Sequence, residues 1–175
     1  MNPRVENMVP DNTLIFLVGF MGAGKTTVGR ALALHHEYDF LDLDDLITSR
    51  AGKSVQEIFS ELGEAHFRSL ESDAIQSCGD MVRSVIALGG GAYVLEDNRL
   101  LLRAIGKTVW LDCPIEICLR RIRGDESRPL LGDESQMQAL AGQRRASYAQ
   151  ADLVIQTGDL SPQELAIEIS RMLKR

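Results

Sequence analysis

Eight residues, Gly19-Phe-Met-Gly-Ala-Gly-Lys-Thr26, carry the pattern G-x-x-x-x-G-K-[ST]. Their chemistry is phosphate binding. Glycines at 19, 22 and 24 let the backbone curl until its N–H groups converge on phosphate oxygens. A helix starting behind the loop adds partial positive charge. Lys25 can carry a cation to the outer phosphates, and the Thr26 hydroxyl can serve Mg²⁺. Gly22, Ala23, Gly24, Lys25, Thr26 and Thr27 are therefore the candidate ATP-binding residues. The chain holds four lysines, and one of them falls in this slot. The rival reading is a chance glycine turn before a core helix, and the flanking segments weigh against it.

Other residue types could complete a phosphoryl transfer. Asp42-Leu-Asp44 closes an apolar run, and strand alternation would put both carboxylates on one face, about 7 Å apart. One could order Mg²⁺ water while the other takes a hydroxyl proton. Two solvated carboxylates at a turn would look the same. Gly89-Gly90-Gly91 could let a ligand approach the backbone closely, or be a plain turn. Arg68 and Glu71 are i, i+3 neighbours, so the carboxylate could hold the guanidinium in place, or form a surface pair of little consequence. The polar stretch Arg123 to Asp133 carries Arg128 before Pro129. It reads as a lid whose arginine reaches the transferred group, or as an ordinary loop. Arg144 lies in the next helix, where it could grip an acidic substrate or face solvent.

The elements that must position these residues follow from periodicity. Leu14–Val18 is a short apolar run that reads as a buried strand, and the segment from Thr26 to His36 reads as a helix. Further strands are expected around 38–43, 85–88, 108–111 and 153–155. Ser54-Val-Gln-Glu57 and Ser161-Pro-Gln-Glu164 are capping boxes, each opening a helix. Helices are also expected over 64–78, 98–104 and 114–123. Strands alternating with helices imply a parallel sheet covered on both faces. Ligands then belong at the C-terminal strand ends.

Composition sets the bounds. The 175 residues are 45% hydrophobic and 25% charged, which suits one soluble domain over 13–175 behind a short leader, 1–12. A net charge of -6 argues against a general nucleic-acid binder. No apolar run reaches the length of a membrane span. Cys78, Cys113 and Cys118 fit no metal or redox spacing and read as reduced, mostly buried thiols. His35, His36 and His66 form no ligand set. A cytoplasmic monomer is expected.

Taken in order, GFMGAGKT, FLDLD, GKSVQEIF, GEAHFRxxE, LGGGA, LDCP, SRPLL and RRASY resemble the shikimate kinases, over about Thr13 to Leu173. The resemblance implies a three-layer α/β/α P-loop kinase, related to the nucleoside monophosphate kinases, with a five-stranded parallel sheet in the order 2-3-1-4-5 and a lid about 123–135. It implies transfer of the ATP γ-phosphoryl group to the 3-hydroxyl of shikimate, with Mg²⁺. Catalysis would fall to Asp44, Lys25 and Arg128. Asp44, Arg68, Arg144 and Gly89, Gly90 and Gly91 would bind shikimate. Thr26 and Asp42 would serve the metal, and Arg121 would border adenine. Two positions depart from the family: Ala146 stands where proline is frequent, and the loop 158–161 carries no arginine. Asp112 is not assigned to the site. The competing readings are a gluconate or nucleotide kinase, and a silent ATP-binding module.

Overall fold

The computed structural model describes residues 13–123, 133–158 and 160–174. The central strand is β1 (Leu14–Val18), whose five side chains are all buried. A strand buried on both faces cannot alternate apolar with polar residues, and this one does not. It pairs in parallel with β3 (Ser84–Ala87) and β4 (Lys107–Asp112). β2 (Asp39–Asp42) and β5 (Leu153–Gln156) form the edges, so the order is β2-β3-β1-β4-β5, as expected.

Helices cover the sheet on both faces. α1 (Lys25–His36) packs on α7 (Pro162–Leu173). Gly29 brings α1 down onto the sheet: a Cβ there would lie 2.5 Å from the Phe40 ring. The buried His36 ring hydrogen-bonds the Ser170 hydroxyl at 2.8 Å and so fastens α1 to α7. Both expected capping boxes are formed, at Ser54/Glu57 and Ser161/Glu164.

The helices expected from Ser54 and over 64–78 are both present and run end to end as α3 (Val55–Ser77), separated where Gly63 takes a non-helical φ 81° and ψ 168°. One expectation needs correction. The second strand stops at Asp42, and α2 (Leu43–Ala51) follows at once. Asp42 is its N-cap and accepts the Asp44 N–H at 3.2 Å. Asp44 therefore sits in a first helical turn, and strand alternation does not relate it to Asp42.

α4 (Glu96–Ile105) packs on β4 and α3. α5 (Ile115–Arg123) and α6 (Glu134–Tyr148) flank the segment expected to be a lid. Arg128 and residues 124–132 lie outside the described residues, as does the leader. The described ends of that segment are joined by an Arg123–Glu134 ion pair.

Candidate active site

The loop after β1 delivers what its sequence requires. Gly19, Gly22 and Gly24 all have positive φ, at 143°, 76° and 94°. α1 starts at Lys25 with Gly24 as N-cap and no side-chain cap. An N-terminus without a side-chain cap keeps its N–H groups available to an anion. Lys25 Nζ donates to the Gly19 and Phe20 carbonyls, at 2.9 and 3.0 Å, and so lies over the loop. Thr26 Oγ1 donates to Asp42 Oδ2 at 2.8 Å. This contact joins the end of the P-loop to the end of β2.

Beside the loop is a cavity of about 210 Å³, lined by Ala23, Gly24, Thr27 and Arg121 from the expected ATP set. Val28, Thr157, Leu160 and Pro162 also line it, and the sequence reading missed them. No local pattern marks them, because α1 and the start of α7 meet there only in the fold. Arg121 Nη1 donates to the Gly22 carbonyl at 3.2 Å.

The glycines after β3 organise the other half of the site. At Gly89 a Cβ would lie 2.7 Å from Glu71 Oε1 and 2.8 Å from Asp44 Oδ1. At Gly90 it would lie 3.3 Å from Arg144 Nη1 and 3.6 Å from the Met21 nitrogen in the P-loop. At Gly91 it would fall within 2.2 Å of Arg68 Nη1. Three residues of backbone thus collect two carboxylates, two guanidinium groups and the phosphate loop. No side chain stands between them.

Each charged group is braced. Arg68 donates to Glu71 at 2.5 Å and to Glu64 at 2.9 Å. Glu71 is fully buried, and burial pushes its carboxyl above the usual range, opposed by Arg68. Tyr148, one turn beyond Arg144, donates its hydroxyl to the Gly90 carbonyl at 2.5 Å. Burial raises its pKa to about 12, so the phenol keeps that proton at neutral pH. The neighbouring Arg145 points elsewhere: it grips Asp112 with two bonds of 2.7 and 2.8 Å and lies over the Trp110 ring. Asp112 also accepts from Gln156 at 2.6 Å. It is committed to fastening α6 and β5.

The oxygen pair Thr26 and Asp42 fits a hard cation. Mg²⁺ keeps several waters and phosphate oxygens, so one or two protein oxygens suffice. Among the described residues no cluster of three or more His, Cys, Asp or Glu side chains forms a closed metal cage.

A parallel 2-3-1-4-5 sheet with a P-loop after its central strand and a charged pocket beside that loop defines a P-loop kinase. The comparisons are more specific. The shikimate kinase family model matches residues 21–174. A shikimate kinase of Geobacter sulfurreducens is 44% identical over 167 residues, covering 94% of this chain and 92% of that one. The structure of an Acinetobacter baumannii shikimate kinase in complex with shikimate superposes with a TM-score of 0.88 at 35% identity, covering 99% of this chain and 97% of that one. A gluconokinase of Sinorhizobium meliloti, covering 96% of this chain and 94% of that one, reaches only 0.59 at 14% identity, a likeness of fold alone. The chain belongs to the shikimate kinase family.

Proposed function

We infer that this member of the shikimate kinase family transfers the γ-phosphoryl group of ATP to the 3-hydroxyl of shikimate, giving shikimate 3-phosphate and ADP. The observation that carries the acceptor assignment is the pairing, at Gly89 to Gly91, of Arg68 and Arg144 with Asp44 beside the phosphate loop. Shikimate is a carboxylate bearing three hydroxyls. Planar guanidinium forks suit its carboxylate, and an aspartate suits its hydroxyls.

The residue roles we propose are those the family resemblance implies, and that placement supports them for Asp44, Arg68 and Arg144. Arg68 and Arg144 hold the substrate carboxylate. The backbone of Gly89, Gly90 and Gly91 forms the floor beneath the ring. Asp44 orients the reacting hydroxyl and accepts its proton. Gly22 to Thr27 bind the triphosphate, and Lys25 neutralises charge on its outer phosphates. Arg121 borders the adenine. Thr26 and Asp42 hold Mg²⁺, which when bound screens charge on the phosphate oxygens. By resemblance alone, Arg128 and a lid over 123–135 would serve the transferred group and keep water from competing as acceptor. The chain works as a single-domain cytoplasmic monomer, with no nucleic-acid or membrane partner. Among the described residues no helix is long and apolar enough to cross a membrane.

Steady-state ADP release with MgATP and shikimate, against gluconate, AMP or no acceptor, tests the reaction. Release that depends on another acceptor would overturn the assignment and keep the kinase. ATP binding without turnover on any of them would point to a silent module. Asp44→Asn tests the proton acceptor: turnover should fall by roughly 10²–10⁴ while ATP still binds. Near-normal turnover would remove Asp44 from that role.

A further inference from the structure

We propose that Cys113 and Cys118 form an oxidation site beside the nucleotide loop, in which Cys113 reacts with a hydroperoxide and Cys118 then closes a disulfide that disturbs ATP binding. The effect on ATP rests on the nucleotide lying over Gly22 to Thr27. The chemistry at the two sulfurs does not.

Their placement comes from how α5 begins. The Pro114 carbonyl accepts the Ile117 and Cys118 N–H groups, at 3.0 and 3.2 Å, so the helix unrolls from Pro114. Cys113 is then the residue before the cap, and Cys118 is the fourth helical residue. Side chains at these two positions meet across a helix entry, where an apolar pair ordinarily sits. Here both are thiols. Cys118 Sγ lies 4.0 Å from the Cys113 carbonyl.

The two sulfurs differ in surroundings, and the difference sorts their roles. Cys113 is half-buried and next to solvent, whereas Cys118 is fully buried. Cys113 Sγ receives Arg121 Nη1 at 3.9 Å and stands at a helix N-terminus. The neighbouring Cys118 thiol, with Arg121 behind it, holds the Cys113 thiol below its ordinary pKa against the opposing effect of burial. Cys118 is driven the other way, first by Cys113 and then by burial. Cys113 is thus the accessible thiol with a cation beside it, and Cys118 the buried thiol one helical turn on.

The steps balance. The Cys113 thiolate attacks one oxygen of the hydroperoxide. An S–O bond forms, the O–O bond breaks, two electrons pass from sulfur to peroxide, and hydroxide or alkoxide leaves. Cys118 then gives up its proton and attacks the Cys113 sulfur. The S–S bond forms, the S–O bond breaks, and the departing hydroxide leaves as water with that proton.

The disulfide would be felt at the P-loop because no slack separates them. A Cβ at Gly22 would lie 2.6 Å from the Cys118 carbonyl oxygen and 3.1 Å from its Cα. A disulfide fixes the two Cβ atoms about 3.8 Å apart, so Cys118 can no longer adjust independently of Cys113. It also removes the thiol partner of Arg121, whose same nitrogen holds the Gly22 carbonyl.

The test treats the full chain with limiting hydrogen peroxide and reads intact mass and peptide maps before activity. Wild type and Cys78→Ser should lose two hydrogens, mapped to a Cys113–Cys118 link. Cys118→Ser should gain one oxygen at Cys113, captured by a sulfenic-acid-reactive dione. Cys118→Ala replaces it if a buried serine does not fold. Cys113→Ser should form no link. In oxidised wild type the KM for ATP should rise by roughly tenfold or more, that for shikimate should hold, and dithiothreitol should reverse the change. Oxidation of Cys113 no faster than that of Cys78 overturns the site. A mapped disulfide with unchanged KM for ATP overturns the coupling to the P-loop. Should the reduced enzyme fail to turn over shikimate, the acceptor assignment fails while the mass measurement still judges the thiols.

Discussion

Gly91→Ala isolates the carboxylate clamp without touching a charged residue. Gly91 has φ -96° and ψ -21°, a conformation alanine adopts without strain. The new Cβ would lie 2.2 Å from Arg68 Nη1, 2.4 Å from Cζ and 2.5 Å from Nη2. Ordinary van der Waals contact starts at 3.4 Å, so the guanidinium must retreat by at least 1.2 Å. Glu71 is fully buried and cannot follow it. Each hydrogen bond that Arg68 would make to a substrate carboxylate under the proposed role is worth about 1.5–3 kcal/mol, and 1.4 kcal/mol is about tenfold. The KM for shikimate should therefore rise roughly 10–100-fold.

The displaced group is the end of a flexible side chain, but loosening its bond to the buried Glu71 should cost the fold about 1–3 kcal/mol. The KM for ATP, measured at saturating shikimate, should stay within about twofold. Arg68→Ala should raise the KM for shikimate by itself, yet add little in the Gly91→Ala background, since both remove the same contact. An unchanged KM for shikimate in a variant that folds would refute the clamp. Full additivity of the two substitutions would place the effect of Gly91 elsewhere.

The other predictions concern the metal pair, the phosphate loop and the helix interface. Asp42→Ala removes an N-cap and should cost about 0.5–2 kcal/mol of stability as well as raising the Mg²⁺ requirement. Asp42→Asn keeps the cap, so a raised Mg²⁺ requirement with unchanged melting would separate the two roles, and a normal requirement would deny the metal role. Gly22→Ala places a side chain at φ 76° and 2.6 Å from the Cys118 carbonyl. It should weaken ATP binding by calorimetry by more than about tenfold, and wild-type affinity would show that the loop can yield. His36 has its pKa lowered from 6.5 to about 4, first by burial and then by His35 and Lys174. The unfolded chain protonates first, so stability present above pH 6.5 is lost as pH falls toward 4, by up to roughly 3 kcal/mol. Urea titrations should show a flatter acid slope in His36→Gln, and an identical slope would assign that loss to other groups.

What the sequence made legible was local. The P-loop, both capping boxes and the five strands are written in short windows of glycine spacing, cap residues and apolar runs. Asp44 was misplaced because F-L-D-L-D alternates like a strand. The switch to helix at Leu43 depends on Asp42 capping Asp44, and Asp42 is also held by Thr26, sixteen residues earlier. Arg144 and Arg145 were separated only by family resemblance. Their environments differ because Asp112, at the end of β4, captures Arg145 and leaves Arg144 toward Gly90. The residues of the cavity beside the P-loop were invisible for the same reason, since α7 reaches α1 only through the fold. Spacing reports contacts within a helix turn or along a strand; it does not report which distant side chain will claim a charge.

The three glycines after β3 show how such claims are settled in this chain. Gly89 faces the two carboxylates, Gly90 faces Arg144 and the P-loop backbone, and Gly91 faces Arg68. Adjacent residues thus border groups of opposite charge at distances a methyl group would not permit. Were Gly89 or Gly91 alanine, the neighbouring charged groups would have to shift, which weakens the interactions they now make. Tyr148 ties this stretch to α6 through the Gly90 carbonyl, and Glu71 braces Arg68 from α3. The loop is therefore held from α6, while Arg68 is fixed within α3. The loop's missing side chains leave guanidinium and carboxylate groups side by side next to the phosphate loop, an arrangement that would suit a small acid with several hydroxyls.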